Sequence, residues 1–344
     1  MPPGLVSPFS LKTLHWRVFR ALEPSKPSKS AIASVEKITR QPTALIVRYF
    51  LKAARWAAFF VDSRAASAYN EPMNYHTLSN VHSHTTFSDG KNTAEEMVQA
   101  ALGLGFHTLG FSEHGPADYD DAAMPTERMG DYRVEVLRLR EKYAERIHIL
   151  LGLEHDWLSP ATPDDLDYTI ESVHYVQKDG QLWSVDWTRE KLETAIRELY
   201  GGDPYALCQD YFRTVCASIE GTSADILGHI ELVMKFNEAR NLFDDANPRY
   251  LDPALECAEL AANSGKLVEI NTGAMAKGYR TDPCPGAAML RRISECGGRI
   301  LLSSDCHDAR LLDHGFDLAE TLAKACGFRT AWEYRGAKQV EYLL

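Results

Sequence analysis

No run in this 344-residue chain is apolar for long enough to form a helical membrane span. Cys-x-x-Cys pairs are also missing. The seven cysteines (Cys208, Cys216, Cys257, Cys284, Cys296, Cys306 and Cys326) are an odd number at irregular spacings. That excludes a disulfide scaffold and fits reduced thiols in a cytoplasmic protein. Positive charge is scarce as well. The net charge is −11, and residues 1–72 hold eleven Lys/Arg against four Asp/Glu, a net of +7 that leaves −18 for the remainder. Nucleic-acid backbones need a positive track, so no nucleic-acid partner is expected. What remains is ordinary globular material, 45% hydrophobic and 25% charged, long enough to bury one large core.

The most informative stretch is Asn80-Val81-His82-Ser83-His84-Thr85-Thr86-Phe87-Ser88-Asp89-Gly90. Side chains at i and i+2 of a strand share a face, so His82 and His84 can reach one metal ion. A lone His-x-His is weak evidence, but the signature recurs. Apolar runs end at Ser112-Glu113-His114, Gly152-Leu153-Glu154, Ser172-Val173-His174, Gly228-His229 and Ser304-Asp305-Cys306-His307. The runs predict strands near 78–84, 107–112, 147–154, 168–174, 225–230, 266–271 and 299–304. Helical periodicity lies between them, as at Thr93–Leu104, Arg189–Tyr200, Pro253–Asn263 and Gly286–Cys296. This alternation predicts an α/β fold with a parallel sheet, seven strands in a closed or nearly closed barrel. Functional groups of such barrels gather at the C-terminal ends of the strands, where each of these histidines and acids falls.

Taken in order, the His-x-His-Thr, Ser-Glu-His, Gly-Leu-Glu, Ser-Val-His, Gly-His and Ser-Asp-x-His motifs resemble the polymerase-and-histidinol-phosphatase (PHP) family, most closely its histidinol-phosphatase branch. Glu269-Ile270-Asn271-Thr272 also looks like a segment of that branch, and the resemblance covers about residues 76–330. It implies a distorted seven-stranded (β/α)7 barrel, TIM-like, with up to three divalent metal ions, zinc, manganese or iron. Carried over by position, His82, His84, Glu154 and Asp305 would hold the first ion. Glu154 would bridge to a second, completed by His174 and His229, and Asp89, His114 and His307 would hold the third. The implied activity is hydrolysis of L-histidinol phosphate in histidine biosynthesis. A metal-bound hydroxide would attack phosphorus directly, with Glu154, Asp305 and His307 at the reacting centre. Arg280, and after it Lys235, are candidates to hold the phosphate.

Alternatives stand beside this reading. The substrate is expected to be a small-molecule phosphate ester, and a nucleotide or sugar monophosphate is the alternative to histidinol phosphate. A metal-binding module without turnover is a third reading. Specificity is expected in the loops 156–167 and 177–187. Trp157, Trp183 and Trp187 either wall an imidazole-sized pocket or simply pack. Asp118–Asp121 is either a solvated loop or a seat for an amino group. Glu113 either supports His114 or faces away from it. His15, His76, His107, His148, His155 and His314 match no motif and read as ordinary polar residues.

Residues 1–72 form a basic, proline- and serine-containing extension with a helical pattern from Ala44 to Phe60. Transit-like or membrane-surface roles are open to it. The plainer expectation is a disposable segment or an upstream start, because a chain beginning at Met73 would have 272 residues, a size typical of the family. Residues 73–344 are then the metallo-phosphoesterase domain.

Overall fold

Short β-branched and aliphatic runs separated by amphipathic helices wind here into a curled, largely parallel sheet. The computed structural model describes residues 77–160 and 165–344. The extension 1–72, and with it His15 and His76, lies outside the described residues. Eleven strands are described: β1 (Ser79–Asn80), β2 (Thr108–Phe111), β3 (His148–Asp156), β4 (Tyr168–Ser172), β5 (Tyr175–Lys178), β6 (Gln181–Ser184), β7 (Ile226–Leu227), β8 (Leu267–Asn271), β9 (Arg299–Ser303), β10 (Thr330–Arg335) and β11 (Lys338–Leu343). Nine of them form one sheet in the order β1-β2-β3-β4-β7-β8-β9-β10-β11. Its neighbours are parallel until the final antiparallel pair, β10–β11.

The two outer segments meet again at the C-terminal end of the strands. The His84 N–H donates to the Cys306 carbonyl at 2.8 Å, and the Cys306 N–H to the His82 carbonyl at 3.1 Å. At the opposite end β10 stands beside β1. There the Leu78 N–H donates to Glu333 at 3.1 Å and the Tyr334 N–H to Ser79 Oγ at 3.4 Å. The barrel therefore closes at one end and is wedged open by the last hairpin at the other.

The seven expected strands are all present, and the count is corrected upward by β10 and β11. Neither of the two ends in a histidine or acid, so a count built on functional motifs passes over them. A separate two-stranded hairpin, β5–β6, occupies much of 177–187, which reads as a loop in the sequence.

The helices are α1 (Ala94–Gly103), α2 (Met129–Lys142), α3 (Arg189–Leu199), α4 (Pro204–Gly221), α5 (Pro248–Asn263), α6 (Gly273–Ala276), α7 (Ala287–Glu295) and α8 (Phe316–Ala325). Thr93 opens α1 with a capping box, its side chain accepting from the Glu96 N–H while the Glu96 carboxylate accepts from the Thr93 N–H. Asn247 caps α5, with Pro248 in its first turn, so this helix starts five residues before the expected Pro253. Among the described residues no helix is long and apolar enough to cross a membrane.

Apolar faces of the helices, such as Met97, Val98 and Ala101 of α1 and Leu207, Phe212 and Val215 of α4, are buried against the outside of the sheet. Burying a Leu- or Phe-sized side chain stabilises by about 1.5–3 kcal/mol. A second cluster fills the barrel: Val81, Leu150, Tyr168, Ile170, Ile226, Leu267, Leu301 and Tyr334. Tyr168 is its plug. A Cβ on Gly110 would lie 2.4 Å from the Tyr168 hydroxyl, and one on Gly152 would lie 2.3 Å from the ring. The hydroxyl donates to the carbonyls of Val81 (2.6 Å) and Phe111 (3.0 Å). Two glycines on β2 and β3 thus clear the space for one aromatic ring from β4.

Candidate metal centre

Strand ends set the site. His82 and His84 follow β1, His114 follows β2, Glu154 lies two residues before the end of β3, His174 follows β4, His229 follows β7, and Asp305 and His307 follow β9. Glu154 lies at the middle. One carboxylate oxygen is 2.9 Å from His114 Nδ1, 3.3 Å from His82 Nε2 and 3.5 Å from His84 Nε2. The other is 2.8 Å from His229 Nε2, 3.4 Å from His174 Nε2, and accepts from Ser172 Oγ at 2.7 Å. Asp305 Oδ1 lies 3.3 Å from His84 Nε2, 3.4 Å from His307 Nδ1 and 3.8 Å from His82 Nε2. Asp89 Oδ1 is 3.1 Å from His307 Nε2 and 3.7 Å from His114 Nε2.

Four overlapping groups have ligand atoms within 4.8 Å of one another: His84/Asp89/His114/His307, His82/His84/Glu154, His82/His229/Asp305 and His114/Glu154/His174. Every one of the nine side chains carried over from the motifs falls in this cluster. Their partition differs in detail from the one the resemblance implies. His229 groups with His82 and Asp305 as well as touching Glu154, and His84 joins the Asp89 set.

The donor set fits divalent ions on two counts. First, His82 Nε2, both ring nitrogens of His84, one Glu154 oxygen, His229 Nδ1 and His307 Nε2 are buried without a hydrogen-bond partner among the described residues. Buried polar atoms are normally satisfied, so such a concentration marks a place that a ligand completes. Second, the cluster holds lone pairs ready to donate. Burial, with His307 and His114 beside it, lowers His84 to about 3 and keeps the ring neutral. Burial pushes Glu154 and Asp305 up, but the imidazoles, joined for Asp305 by Lys277, outweigh it and hold both carboxyls well below their usual range. Mixed imidazole and carboxylate donors suit zinc, manganese and iron.

A surrounding layer aims these side chains. Glu269, fully buried, meets His82 Nδ1 at 2.5 Å, accepts from the His229 N–H at 2.8 Å and from Asn271 at 3.0 Å, and is bonded by Ser303. Asp156 accepts from the His174 N–H (2.9 Å), meets His174 Nδ1 at 3.2 Å, and accepts from Tyr119 (2.7 Å). Tethering Nδ1 in this way turns Nε2 toward the cluster. Neither carboxylate carries a motif histidine next to it, although Glu269 sits in the Glu-Ile-Asn-Thr segment. Glu113 makes no hydrogen bond to its neighbour His114 and supports another part of the cluster. Its buried carboxylate accepts from Thr85 and Ser88 and pins the loop that carries Asp89.

Of the four non-glycine residues with positive φ among the described residues, Asp179, Ala239, Arg240 and Asp305, one stands in the cluster. Asp305 has φ +46°, a left-handed conformation that costs a non-glycine residue about 1–3 kcal/mol. The kink turns its carboxylate into the cluster, against Gly273, where a Cβ would stand 2.8 Å from Asp305 Oδ2. Cys306, between two cluster residues, faces away and packs, its thiol donating to the Asp308 carbonyl at 3.0 Å.

A cavity of about 230 Å³ opens beside the cluster. His114, His174, His229, Asp305, His307 and Asp89 form its floor. Lys235, Lys277, Arg280, Glu231 and Asp282 also line the cavity, as do Tyr175, Ser184, Asp186, Trp187 and Asp120. Lys235 donates to the Asp186 carbonyl (2.7 Å) and carboxylate (3.0 Å), and Arg280 lies 3.5 Å from Glu238. Lys277 went unnoticed in the sequence, because a lysine in an Ala-Lys-Gly turn has no motif. Of the three tryptophans only Trp187 lines the cavity; Trp157 and Trp183 pack against the core. Of the acidic stretch 118–121, Asp120 lines it. The hairpin side, 177–187, contributes Ser184, Asp186 and Trp187, whereas no described residue of 156–167 does. His107 and His155 are engaged elsewhere, with Glu333 and Glu171.

Residues 80–273 match the family described as PHP domain. A probable histidinol-phosphatase of Schizosaccharomyces pombe is 26% identical over 254 residues, covering 68% of this chain and 81% of the relative. A probable histidinol-phosphatase of Deinococcus radiodurans is 30% identical over 243 residues, covering 67% of this chain and 86% of the relative. Among solved structures, histidinol phosphate phosphatase of Lactococcus lactis, complexed with zinc, L-histidinol and phosphate, has the same fold. It superposes with a TM-score of 0.58 at 20% identity, covering 76% of this chain and 98% of that one.

Proposed function

Because this chain belongs to the PHP family, we propose that it is a metal-dependent phosphomonoesterase that converts L-histidinol phosphate to L-histidinol and inorganic phosphate. Similarity to histidinol-phosphatases over about two thirds of this chain supports the substrate, and the buried, unpartnered imidazole and carboxylate atoms support the chemistry. The cluster has donors for up to three divalent ions of zinc, manganese or iron. His82, His84, Glu154 and Asp305 would hold one, Glu154, His174 and His229 a second, and Asp89, His114 and His307 a third. Bound there, such ions polarise phosphoryl oxygens and make water acidic enough to attack near neutral pH.

The protein's own part is placement. Asp305 faces the cavity as an ionised carboxylate, Glu154 is ionised and buried among the imidazoles, and His307 stands beside Asp305 with Nδ1 also 2.9 Å from that residue's carbonyl. All three border the place where a phosphoryl group would sit. Glu269 and Asp156 keep His82 and His174 from rotating. The acidic walls, Asp120, Asp186, Glu231 and Asp282, favour an ester whose organic end is cationic, as histidinol is, over a polyanionic nucleic acid. A nucleotide or sugar monophosphate remains the alternative substrate.

The test is phosphate release by the full chain, reloaded with manganese, zinc or iron, on L-histidinol phosphate and a panel of small phosphomonoesters. A kcat/KM for histidinol phosphate of about 10⁴ M⁻¹s⁻¹ or more, far above the rest, is expected. Weak and even rates across the panel would refute that substrate and leave a phosphoesterase of other preference.

A further inference from the structure

Three basic side chains, Lys235, Lys277 and Arg280, line the cavity beside the histidine–carboxylate cluster. Two are committed to the protein: Lys235 to Asp186 and Arg280 to Glu238. Lys277 differs. Among the described residues its ammonium has no hydrogen-bond or ion-pair partner, while its backbone is fixed, the N–H closing α6 on the Gly273 carbonyl at 3.0 Å. The lysine therefore starts from a rigid point just past β8 and reaches toward the cluster on a flexible stem.

Its surroundings make a free ammonium expensive unless something answers it. Burial works to lower the Lys277 pKa, yet Asp305, Asp89, Asp186 and Glu154 together raise it above the usual lysine value, so the group stays charged. None of these four acids is within contact distance of it, and each has imidazole or lysine partners of its own. Divalent ions in the cluster would offset their charge further. A cation kept charged and kept free, at the edge of a cavity built from metal-binding side chains, is placed for an anion that arrives from solution.

We propose that Lys277, rather than Arg280 or Lys235, holds the phosphoryl group of the substrate and of the released phosphate against the metal-binding cluster. This rests on the phosphatase reading above. Lys235 and Arg280 then serve the walls, Lys235 by fastening the end of the β5–β6 hairpin through Asp186 to the segment after His229.

The experiment compares the full-length, metal-loaded wild type with Lys277→Ala and Lys277→Arg. It reads competitive inhibition by inorganic phosphate and, separately, by L-histidinol, together with kcat, KM and bound metal per chain. Loss of one charge-assisted contact should weaken phosphate inhibition by about 10- to 100-fold in Lys277→Ala. Histidinol inhibition should stay within about twofold, metal content should not change, and Lys277→Arg should recover most of the phosphate binding. Phosphate inhibition unchanged in Lys277→Ala would overturn the assignment, as would equal weakening toward both ligands, the mark of a pocket that has merely collapsed. If the wild type prefers another ester, the histidinol reading falls alone, because inhibition by phosphate against that ester still decides the role of Lys277.

Discussion

Glu269 shows what one residue contributes at this site. It is fully buried, and its two oxygens serve His82, the His229 backbone, Asn271 and Ser303. His82 thereby presents only Nε2 to the cluster. Glu269→Gln keeps the shape but removes the charge that steadies this ring. Metal retention should fall by about 10- to 100-fold, read as metal per chain after dialysis against graded chelator. Retention equal to wild type would show that His82 needs no such support. At this scale the sequence was most transparent. Eight of the nine cluster residues announce themselves because they stand at the ends of apolar runs, a regularity that points to a shared rim, and Asp89 lies in the loop beyond the first run. Glu269 and Asp156 were less visible. Their partners are reached across neighbouring strands, and only the register of β3 against β4 and of β8 against β9 brings them there. Lys277 gave no signal at all, since freedom from a partner is a property of the folded surroundings.

At the scale of elements, the barrel interior is decided by the meeting of β2, β3 and β4. Gly110 and Gly152 leave room for the Tyr168 ring, and its hydroxyl ties the ends of β1 and β2 through the carbonyls of Val81 and Phe111. Gly152→Ala should therefore destabilise by about 1–3 kcal/mol through overpacking, measured as a shift in urea midpoint. The same change in a Tyr168→Leu background should cost less, because the colliding ring is gone. Additive costs in the double-mutant cycle would rule out this contact as the cause. Strand positions were legible to within a few residues because apolar runs bounded by turns are a strong signal. The plug was not, for Tyr168 reads as one more apolar residue at the head of a strand. The β5–β6 hairpin and the β10–β11 hairpin were missed for a related reason: in a parallel barrel one expects a helix after each strand, and these strands turn straight back.

For the molecule as a whole, the wedge at the N-terminal end of the barrel governs how stability responds to acid. Glu333 of β10 is buried and accepts from the Leu78 N–H, Arg335 Nε and His107. Burial raises its pKa, but its partners, His107 foremost, overcome this and the net shift is downward. A carboxyl whose folded pKa lies below its unfolded value contributes stability above the unfolded value, and loses it as pH falls through the folded one. Wild type should therefore lose part of its stability below the ordinary glutamate range. Glu333→Gln should be less stable than wild type at neutral pH and should lose less as pH falls below the ordinary glutamate range. Parallel urea-midpoint profiles for the two proteins would contradict this. The fold class was readable from the alternation of strand and helix, and the acidic charge of the chain beyond residue 72 agrees with a small, cationic ester better than with nucleic acid. How the barrel ends, with the terminal β10–β11 hairpin, was not written in any motif.

The closure between the segments after β1 and β9 also sets an order of events. Asn80 and Ser304, whose side chains join at 2.6 Å, are 224 positions apart, and the cluster lies just beyond them. On a ribosome, His82, His84 and Glu154 emerge long before Asp305 and His307 exist. A half-made chain offers an ion only a fragment of the final donor set, with no opposite rim to lean on. Tight metal capture is thus postponed until most of the protein has been synthesised, so a nascent or truncated product holds metal poorly, and firm loading certifies that β9 has docked.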